Sequence, residues 1–372
     1  MKKIDVKMLQ DAIERRAAED IKDNRIGGAS VQVIQDGETV YRAHFENLEM
    51  GENTVSDDTL FRLASMTKPI SAVAAMILVE RGLLCLDDTV ESYLGIFGDM
   101  PVLDGEGGTF LTDRRVTVRH LLTHTSGIGS GQAVEYSKTR RTPEDLRDNA
   151  SFVAHLAGQP LSFVPGTRQE YSGIAAFSVL TAIVQKLTGL SYEEFLHKEI
   201  FCPLGMVDTT FLPSEQQRAR LIPMHNRVDG KCALGPTYEG CVFEDVPVTN
   251  LLGGAGLASS LSDYARFATM LLNGGAYEGG RILREDSVRE IARPDVPFND
   301  TESWGLGVRS IRAEGNVLPV GVFGWSGAYG THFFVDPENR IVGLYMKNSA
   351  YDGGSGAVTA ANFEKDLYAS LV

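Results

Sequence analysis

Residues 61–70 read Phe-Arg-Leu-Ala-Ser-Met-Thr-Lys-Pro-Ile and lead directly into an apolar run over residues 71–79. Pro69 has no backbone N–H and is tolerated only in the first turn of an α-helix, so a helix through the apolar run must begin near Ser65 or Met66. The positions after Pro69 are apolar on nearly every side, which is typical of a helix buried at the centre of a domain. The sequence therefore predicts a central helix with a serine at its N-terminus.

Ser65 and Lys68 stand three residues apart, in the pattern S-x-x-K. At a helix N-terminus the Ser65 hydroxyl lies near free N–H groups and the positive end of the helix dipole, and Lys68 projects from the same face one turn later. A serine needs a neighbouring base to act as a nucleophile, and a lysine can assist when burial or a nearby charge lets it share its proton. The same spacing also occurs in ordinary surface turns, but the buried helix that follows it favours a catalytic pair.

Composition restricts the classes of partner. The chain has 372 residues, enough for one large core or two lobes. Its 35 Lys and Arg residues stand against 49 Asp and Glu residues, for a net charge of -14. Such a surface repels nucleic acid and anionic membranes, so we expect small-molecule partners.

The N-terminus and the cysteines indicate a compartment. The first ten residues lack the continuous apolar segment of a signal peptide, and no apolar run is long enough for a transmembrane helix. We therefore expect a cytoplasmic protein. No C-x-x-C spacing occurs, and free thiols are expected in a reducing compartment, although Cys232 and Cys241 are close enough to pair in an oxidising one. The four cysteines are Cys85, Cys202, Cys232 and Cys241.

Strand patterns occur near both ends of the chain. A helical period over residues 3–24 precedes two strands, Ala29 to Gln35 and Glu38 to Phe45, joined by the hairpin turn Asp36-Gly37. The C-terminal strands are predicted at 304–311, 317–323, 331–335 and 341–346, before a last helix at 357–371.

Helical patterns fill the middle of the chain, at 132–157, 174–188, 192–200 and 264–272. This order predicts an α+β fold, in which an antiparallel sheet is built from N- and C-terminal strands and a mostly helical lobe is inserted between them. We predict a sheet lobe from residues 1–75 and 290–372, a helical lobe with long loops from 76–289, and an active site between the lobes.

Two other patterns suggest cofactor sites and are interpreted differently. His120 and His124 are four apart, as metal ligands on a helix would be, but the intervening glutamate of H-E-x-x-H and a third ligand are missing. A packed or capping role is favoured for both. Residues 253–256 read Gly-Gly-Ala-Gly and lack the G-x-G-x-x-G spacing, so a tight turn before a helix is favoured over a dinucleotide site. The sequence predicts no metal and no organic cofactor.

Three short motifs follow one another along the chain: Ser65-Met66-Thr67-Lys68, Tyr171-Ser172-Gly173 and Trp325-Ser326-Gly327. Residues 121–127, Leu-Leu-Thr-His-Thr-Ser-Gly, and the pair Pro165-Gly166 accompany them. In this combination the chain resembles the serine β-lactamase-like superfamily, which includes class C β-lactamases, DD-peptidases and family VIII carboxylesterases. The resemblance covers nearly the whole chain.

The resemblance implies a role for each motif residue. Ser65 would be the acylated nucleophile, Lys68 would lower its proton affinity, and Tyr171 would act as general base for Ser65 and later for water. A tyrosine is a usable base only beside a cation such as Lys68, which favours its phenolate. The implied oxyanion hole consists of the backbone N–H groups of Ser65 and Ala328.

Two departures from the family pattern concern the substrate. Gly173 stands where the second motif usually ends in Asn, which in lactamases helps to hold the substrate's amide side chain. The third motif, Trp325-Ser326-Gly327, is the implied substrate-binding strand, and Trp325 replaces the cation of K-T-G or H-T-G that pairs with a substrate carboxylate. Because W-x-G is the form seen in family VIII esterases, a small neutral ester is favoured as substrate.

The leading hypothesis is thus a serine carboxylesterase that acts on short-chain esters through an acyl-enzyme. An acyltransferase, a β-lactamase or a D-amino-acid amidase or peptidase would use the same acyl-enzyme and remain alternatives. A catalytically inert scaffold protein is a further alternative, against which the presence of all three catalytic side chains argues. An α/β-hydrolase is disfavoured because the chain has no G-x-S-x-G motif.

Overall fold

The computed structural model of the protein describes residues 1–48, 55–229, 231–234, 248–354 and 356–372. Cys241 is not among these residues, so the question whether Cys232 and Cys241 are free or paired lies outside the described part of the chain. Cys85 and Cys202 are free thiols at exposed positions.

Short and long strands alternate with helices along the chain. The strands are β1 (Gly28–Gln35), β2 (Glu38–Glu46), β3 (Leu60–Arg62), β4 (Val102–Leu103), β5 (Thr109–Phe110), β6 (His225–Val228), β7 (Lys231–Leu234), β8 (Ala258–Ser260), β9 (Ala276–Tyr277), β10 (Gly280–Arg281), β11 (Val296–Pro297), β12 (Glu302–Trp304), β13 (Arg309–Ile311), β14 (Phe323–Ser326), β15 (His332–Asp336) and β16 (Ile341–Lys347).

The helices between them differ widely in length. They are α1 (Val6–Lys22), α2 (Thr67–Glu80), α3 (Val90–Tyr93), α4 (Val118–Leu122), α5 (Gly131–Lys138), α6 (Asn149–Ala157), α7 (Ala175–Thr188), α8 (Tyr192–Leu196), α9 (Cys202–Leu204), α10 (Glu215–Ala219), α11 (Leu261–Leu272), α12 (Glu285–Ala292) and α13 (Val358–Ala369). In the part of the chain that the structure describes, none of them is both long and apolar enough to cross a lipid bilayer.

The main sheet has eight strands in the order β11-β12-β13-β14-β15-β16-β1-β2. Every neighbouring pair is antiparallel, and the N-terminal strand β1 lies between β2 and the C-terminal strand β16. The two ends of the chain therefore build one sheet, which confirms the predicted α+β fold class. The boundaries of the two lobes stay a prediction.

Helices cover both faces of this sheet. On one face α1 and α13 pack together over a cluster that includes Leu9, Phe334 and Phe363. On the other face α11 packs against β15 and β16, and the larger core extends from there to α2 and α7. Burial of apolar surface on both sides of the sheet stabilises the fold by about 25 cal/mol per Å².

The N-terminal hairpin forms as predicted. Asp36 and Gly37 join β1 to β2 with φ angles of 54° and 88°, the left-handed values that a two-residue type I′ turn requires. The Asp-Gly pair therefore sets the register of β1 against β2.

The predicted central helix is α2. Every residue from Thr67 to Leu78 is buried, and Pro69 lies in the first turn, where its missing N–H leaves no helical hydrogen bond unmade. A single 3-10 turn, Ala64–Met66, precedes α2, so Ser65 lies just before the helix. The prediction that the helix begins near Ser65 is confirmed.

Two of the predicted C-terminal strands are wrong. Residues 304–311 form two strands, because Gly307 turns the chain with a φ of 68° between β12 and β13. Residues 317–323 are mostly a loop, since Pro319 cannot donate to a ladder and Gly321 has a φ of 91°. Strand β14 therefore begins at Phe323, the residue where the predicted strand ended, and carries the Trp-Ser-Gly motif at its end.

Candidate active site

Ser65 lies where a strained turn meets the N-terminus of α2. Ala64 has a φ of 46°, a left-handed value that costs about 1–2 kcal/mol for a residue with a Cβ atom. Ser65 itself is 8% exposed. The turn therefore places the hydroxyl at the positive end of the helix dipole and within reach of solvent.

Lys68 is completely buried beneath Ser65 and has three oxygen neighbours. Its Nζ atom lies 3.1 Å from Ser65 Oγ and donates to the carbonyl oxygens of Gly173 at 2.6 Å and Gly254 at 2.8 Å. Burial lowers the pKa of Lys68, because the ammonium group loses its hydration, and the neighbouring Tyr171 opposes this shift. The lysine is thus held against Ser65 in a setting that eases the movement of its proton.

Tyr171 approaches Ser65 from the other side. Its hydroxyl lies 2.7 Å from Ser65 Oγ, and its ring centroid is 4.9 Å from Lys68 Nζ. The side chain is 38% exposed, so the phenol borders both the buried lysine and solvent. Ser65 Oγ is therefore in contact with both groups that could take its proton.

Two hydrogen-bonding patterns satisfy these three groups. In one, a Lys68 ammonium donates to Ser65 Oγ and to both carbonyl oxygens, and Ser65 donates to a Tyr171 phenolate. In the other, a neutral Lys68 donates to the carbonyl oxygens and accepts from Ser65, while the Tyr171 hydroxyl donates to Ser65. Both patterns contain the same number of protons, so a proton can move between Lys68 and Tyr171 through Ser65 without a change in net charge.

Trp325 supports Tyr171 from strand β14. Its Nε1 atom donates to Tyr171 OH at 3.3 Å, and the side chain is only 6% exposed. Trp304 packs edge-on against Trp325 with ring centroids 4.5 Å apart and lies 5.6 Å from the Tyr171 ring. Position 325 therefore presents an N–H group and an aromatic ring to the site, and no cation.

The other residues of the third motif have different surroundings. A Cβ atom at Gly327 would overlap the carbonyl oxygen of Leu63, so only glycine lets β14 lie this close to the turn before α2. Ser326 Oγ lies 2.8 Å from His332 Nδ1, on the face of the sheet opposite Trp325. The structure thus brings Gly327 near the Ser65 turn and turns the Ser326 hydroxyl away from it.

The two backbone groups predicted for the oxyanion hole are available. Within the described residues, neither the Ser65 amide nor the Ala328 amide donates a hydrogen bond to the protein. Ala328 is exposed and directly follows Gly327, which lies against Leu63. Both N–H groups are therefore free to donate, as the donors of an oxyanion hole must be.

His120 and His124 have different partners and do not form a joint site. His120 Nδ1 accepts the backbone N–H of Thr117 at 3.2 Å and completes a capping box at the start of α4. His124 is fully buried and packs 4.5 Å from the Tyr171 ring. Across the ranges that the structure covers, no three His, Cys, Asp or Glu side chains are arranged to hold a metal ion.

Sequence reasoning missed the residues that enclose Lys68 from behind. Gly254, predicted only as part of a turn, supplies a carbonyl oxygen to Lys68, and a Cβ atom at this position would lie 3.0 Å from the Gly173 carbonyl. At Gly253 a Cβ atom would overlap Thr181 Oγ1. The adjacent glycines were the available signal, because close backbone approach is one reason for glycine pairs.

A second serine, histidine and aspartate meet on the N-terminal hairpin. Ser30 Oγ lies 2.8 Å from His44 Nδ1, and His44 Nε2 lies 3.1 Å from Asp57 Oδ1. Ser30 is completely buried between β16 and β2, so a substrate carbonyl cannot reach its hydroxyl. This set therefore does not compete with Ser65 as a nucleophile.

We expect Trp325→Phe to lower kcat for an ester about tenfold with little change in KM, because a hydrogen bond of about 1.5 kcal/mol to Tyr171 is lost while the ring is kept. Trp304→Phe is the matched control, since its N–H bonds Gln169 instead, and should have the smaller effect. Steady-state kinetics on both variants make the comparison. Equal effects would contradict a specific role for the Trp325 N–H group.

Comparison with known proteins finds relatives over most of the chain. The family model described as Beta-lactamase matches residues 11–364. Protein Rv1367c of Mycobacterium tuberculosis (strain ATCC 25618 / H37Rv) is 33% identical over 315 residues, covering 78% of this chain and 77% of that protein. Esterase EstB of Burkholderia gladioli is 33% identical over 374 residues, covering 92% of this chain and 91% of that protein.

A solved structure has the same fold. EstCE1, a hydrolase with promiscuous acyltransferase activity, superposes with a TM-score of 0.83 at 22% identity and covers 98% of this chain and 99% of its own. At this identity the likeness concerns the fold. Because the family model spans nearly the whole sequence and two relatives are 33% identical, the chain belongs to the β-lactamase family, within the serine β-lactamase-like superfamily.

Proposed function

We propose that the protein is a serine carboxylesterase that cleaves short-chain neutral esters through an acyl-enzyme on Ser65. The observation that carries the proposal is the contact of Ser65 Oγ with both Tyr171 OH and Lys68 Nζ, at 2.7 and 3.1 Å. The similarity to Esterase EstB over 92% of the chain supports an ester as substrate. No metal or organic cofactor takes part in the proposed reaction.

Acylation starts from the pattern with a Lys68 ammonium and a Tyr171 phenolate. Tyr171 takes the Ser65 proton as Oγ attacks the ester carbonyl carbon, and the developing oxyanion accepts from the Ser65 and Ala328 amides. The bond between carbonyl carbon and alcohol oxygen then breaks. Tyr171 returns the proton to the leaving oxygen, so an alcohol departs and Ser65 carries the acyl group.

Deacylation repeats these steps with water in place of the alcohol. Tyr171 takes a proton from water, and the hydroxide attacks the acyl carbon. The bond to Ser65 Oγ breaks, Oγ recovers its proton from Tyr171, and the carboxylic acid is released. Lys68 remains charged throughout, and its ammonium group, 4.9 Å from the Tyr171 ring centroid, stabilises the phenolate by its charge.

The absence of a cation at position 325 determines the preferred substrate. A charge-assisted hydrogen bond to a substrate carboxylate contributes about 1.5 to 3 kcal/mol, and Trp325 cannot provide it. The protein's net charge of -14 also repels anionic substrates at long range. A neutral ester does not need a charged hydrogen-bond donor and is not repelled by the net charge of the protein.

We expect kcat/KM for p-nitrophenyl butyrate to exceed that for nitrocefin. It should also exceed that for the monosuccinate p-nitrophenyl ester by roughly tenfold to a hundredfold, because the succinyl carboxylate loses hydration in the site without gaining a charged partner. The two esters share a leaving group and differ in the charge of the acyl group, so they are a matched pair. Side-by-side kinetics, with D-amino-acid amides included, make the measurement. Faster turnover of nitrocefin or of an amide would move the assignment to the lactamases or the peptidases.

A further inference from the structure

His124 bonds the backbone on both sides of Tyr171. The carbonyl oxygen of His124 accepts the N–H of Glu170 at 3.0 Å, and its Nδ1 atom accepts the N–H of Ser172 at 3.2 Å. The residues immediately before and after Tyr171 are therefore both attached to one residue that lies far away in sequence.

The imidazole ring also packs against Tyr171 itself. The two ring centroids are 4.5 Å apart, and Trp304, which lies 5.6 Å from the Tyr171 ring, packs edge-on against the imidazole at 4.4 Å. Phe177 lies 5.8 Å from the same ring and 5.3 Å from Lys68 Nζ. His124 is thus enclosed among the groups that fix the positions of Tyr171 and Lys68.

His124 directly follows Thr123, the C-cap residue of α4, and its φ is 57°. A left-handed conformation at this position is a common way for a helix to end, and histidine is among the residues enriched in it. Here the left-handed residue is the one that places a carbonyl oxygen and a ring nitrogen on either side of Tyr171.

The hydrogen bonds of His124 determine which tautomer its imidazole ring adopts. Since Nδ1 accepts from Ser172, the neutral ring carries its proton on Nε2, which is buried without a hydrogen-bond partner among the described residues. Burial, followed by the charge of Lys68, lowers the pKa of His124 well below its ordinary value. The Nδ1 lone pair therefore stays available to Ser172 throughout the neutral pH range.

We propose that His124 is a positioning residue for Tyr171: its Nδ1 atom and its carbonyl oxygen hold the residues that flank the general base and so keep the phenol oxygen on Ser65 Oγ. The inference rests on the proposed function of Tyr171 and adds a residue to it. A displacement of about 1 Å at a catalytic group can lower the rate 10²-fold, so the effect is measurable.

The test compares His124→Asn with His124→Gln. Asparagine places its oxygen where Nδ1 was and tolerates a positive φ, whereas the glutamine oxygen lies one bond farther out. Two rates are followed: kcat for p-nitrophenyl butyrate, and phosphonylation of Ser65 by an alkyl fluorophosphonate, which requires no ester activity. His120→Asn is the control, because His120 caps α4 and its side chain bonds the backbone of Thr117.

We expect His124→Asn to keep both rates within about tenfold of wild type and His124→Gln to lose about 10²-fold, with KM unchanged in both. In a Tyr171→Phe background the two substitutions should give equal rates, because the group that His124 positions is gone. If His124 had a purely structural role, the two substitutions would still give different rates in the Tyr171→Phe background. Equal rates in the Tyr171→Phe background would support the proposal even if the two variants melt at different temperatures, since the rates are compared on folded protein.

Two results would overturn the inference: equal rates for His124→Asn and His124→Gln with Tyr171 present, or a difference that persists in Tyr171→Phe. A different result would refute the proposed esterase function. A wild-type protein that reacts with the fluorophosphonate but hydrolyses no ester would refute the esterase, while the phosphonylation rates would still decide the role of His124.

Discussion

Replacing Ser65 by alanine is expected to lower kcat for p-nitrophenyl esters by on the order of 10⁴ to 10⁶, to the background rate. The substitution removes the atom that lies 2.7 Å from Tyr171 OH and 3.1 Å from Lys68 Nζ. No other accessible serine of the described residues has both contacts. Alanine fits the same turn, so the fold should be unaffected.

The control for this variant is Ser262→Ala, whose hydroxyl bonds Arg42 at the surface. It should retain wild-type kcat. Circular dichroism and thermal melting check that both variants are folded. Ester hydrolysis by Ser65→Ala within tenfold of wild type would contradict an acyl-enzyme on this residue.

Replacing Lys68 by methionine is expected to lower kcat by at least about 10³-fold, since residues that act as one catalytic unit lose nearly the same rate singly as together. Methionine retains much of the buried length but carries no charge, so the phenolate of Tyr171 is no longer stabilised. The carbonyl oxygens of Gly173 and Gly254 also lose their donor.

Stability should respond much less than activity to this change. Replacing a buried charge by an apolar group of similar volume is often neutral, although two carbonyl groups are left without partners. Lys186→Met is the matched control, because Lys186 bonds the carbonyl oxygen of Tyr93 at the surface. A Lys68→Met protein with kcat within tenfold of wild type would show that the lysine takes no part in the reaction.

Local rules account for what the sequence predicted correctly. Pro69 determines where α2 can begin, and that position, with the spacing to Lys68, identifies the serine. The Asp36-Gly37 turn likewise defines the N-terminal hairpin without reference to the rest of the chain. Each prediction depends on residues that are neighbours in sequence.

The surroundings of Lys68 could not be predicted in this way. Its two shortest hydrogen bonds are to main-chain oxygens of Gly173 and Gly254, which are 105 and 186 residues away. A backbone carbonyl has no residue-specific signature, and a glycine that permits close approach looks like a glycine in a turn. A packed or capping role was predicted for His124, but its contact with Tyr171 could not be predicted, because the two residues are 47 positions apart in the chain.

The alternation of side chains along β14 explains why Ser326, predicted to bind substrate, points away from the site. The sequence assigns Trp325, Ser326 and Gly327 together to the substrate, whereas alternate residues of a strand point to opposite faces. Ser326 pairs with His332, and both side chains lie on the face away from Trp325. Since the predicted strand ended at Phe323, where β14 begins, the faces of the motif could not be assigned from the pattern.

The most direct test of the account is to trap the acyl-enzyme from a true substrate. Wild-type protein is mixed with p-nitrophenyl butyrate, quenched in acid during the burst of p-nitrophenol, and digested for peptide mass spectrometry. The proposed mechanism predicts a butyryl group on Ser65, at no more than one per chain, which is absent from Ser65→Ala. A butyryl group on another residue, or ester hydrolysis without any covalent intermediate on Ser65, would contradict it.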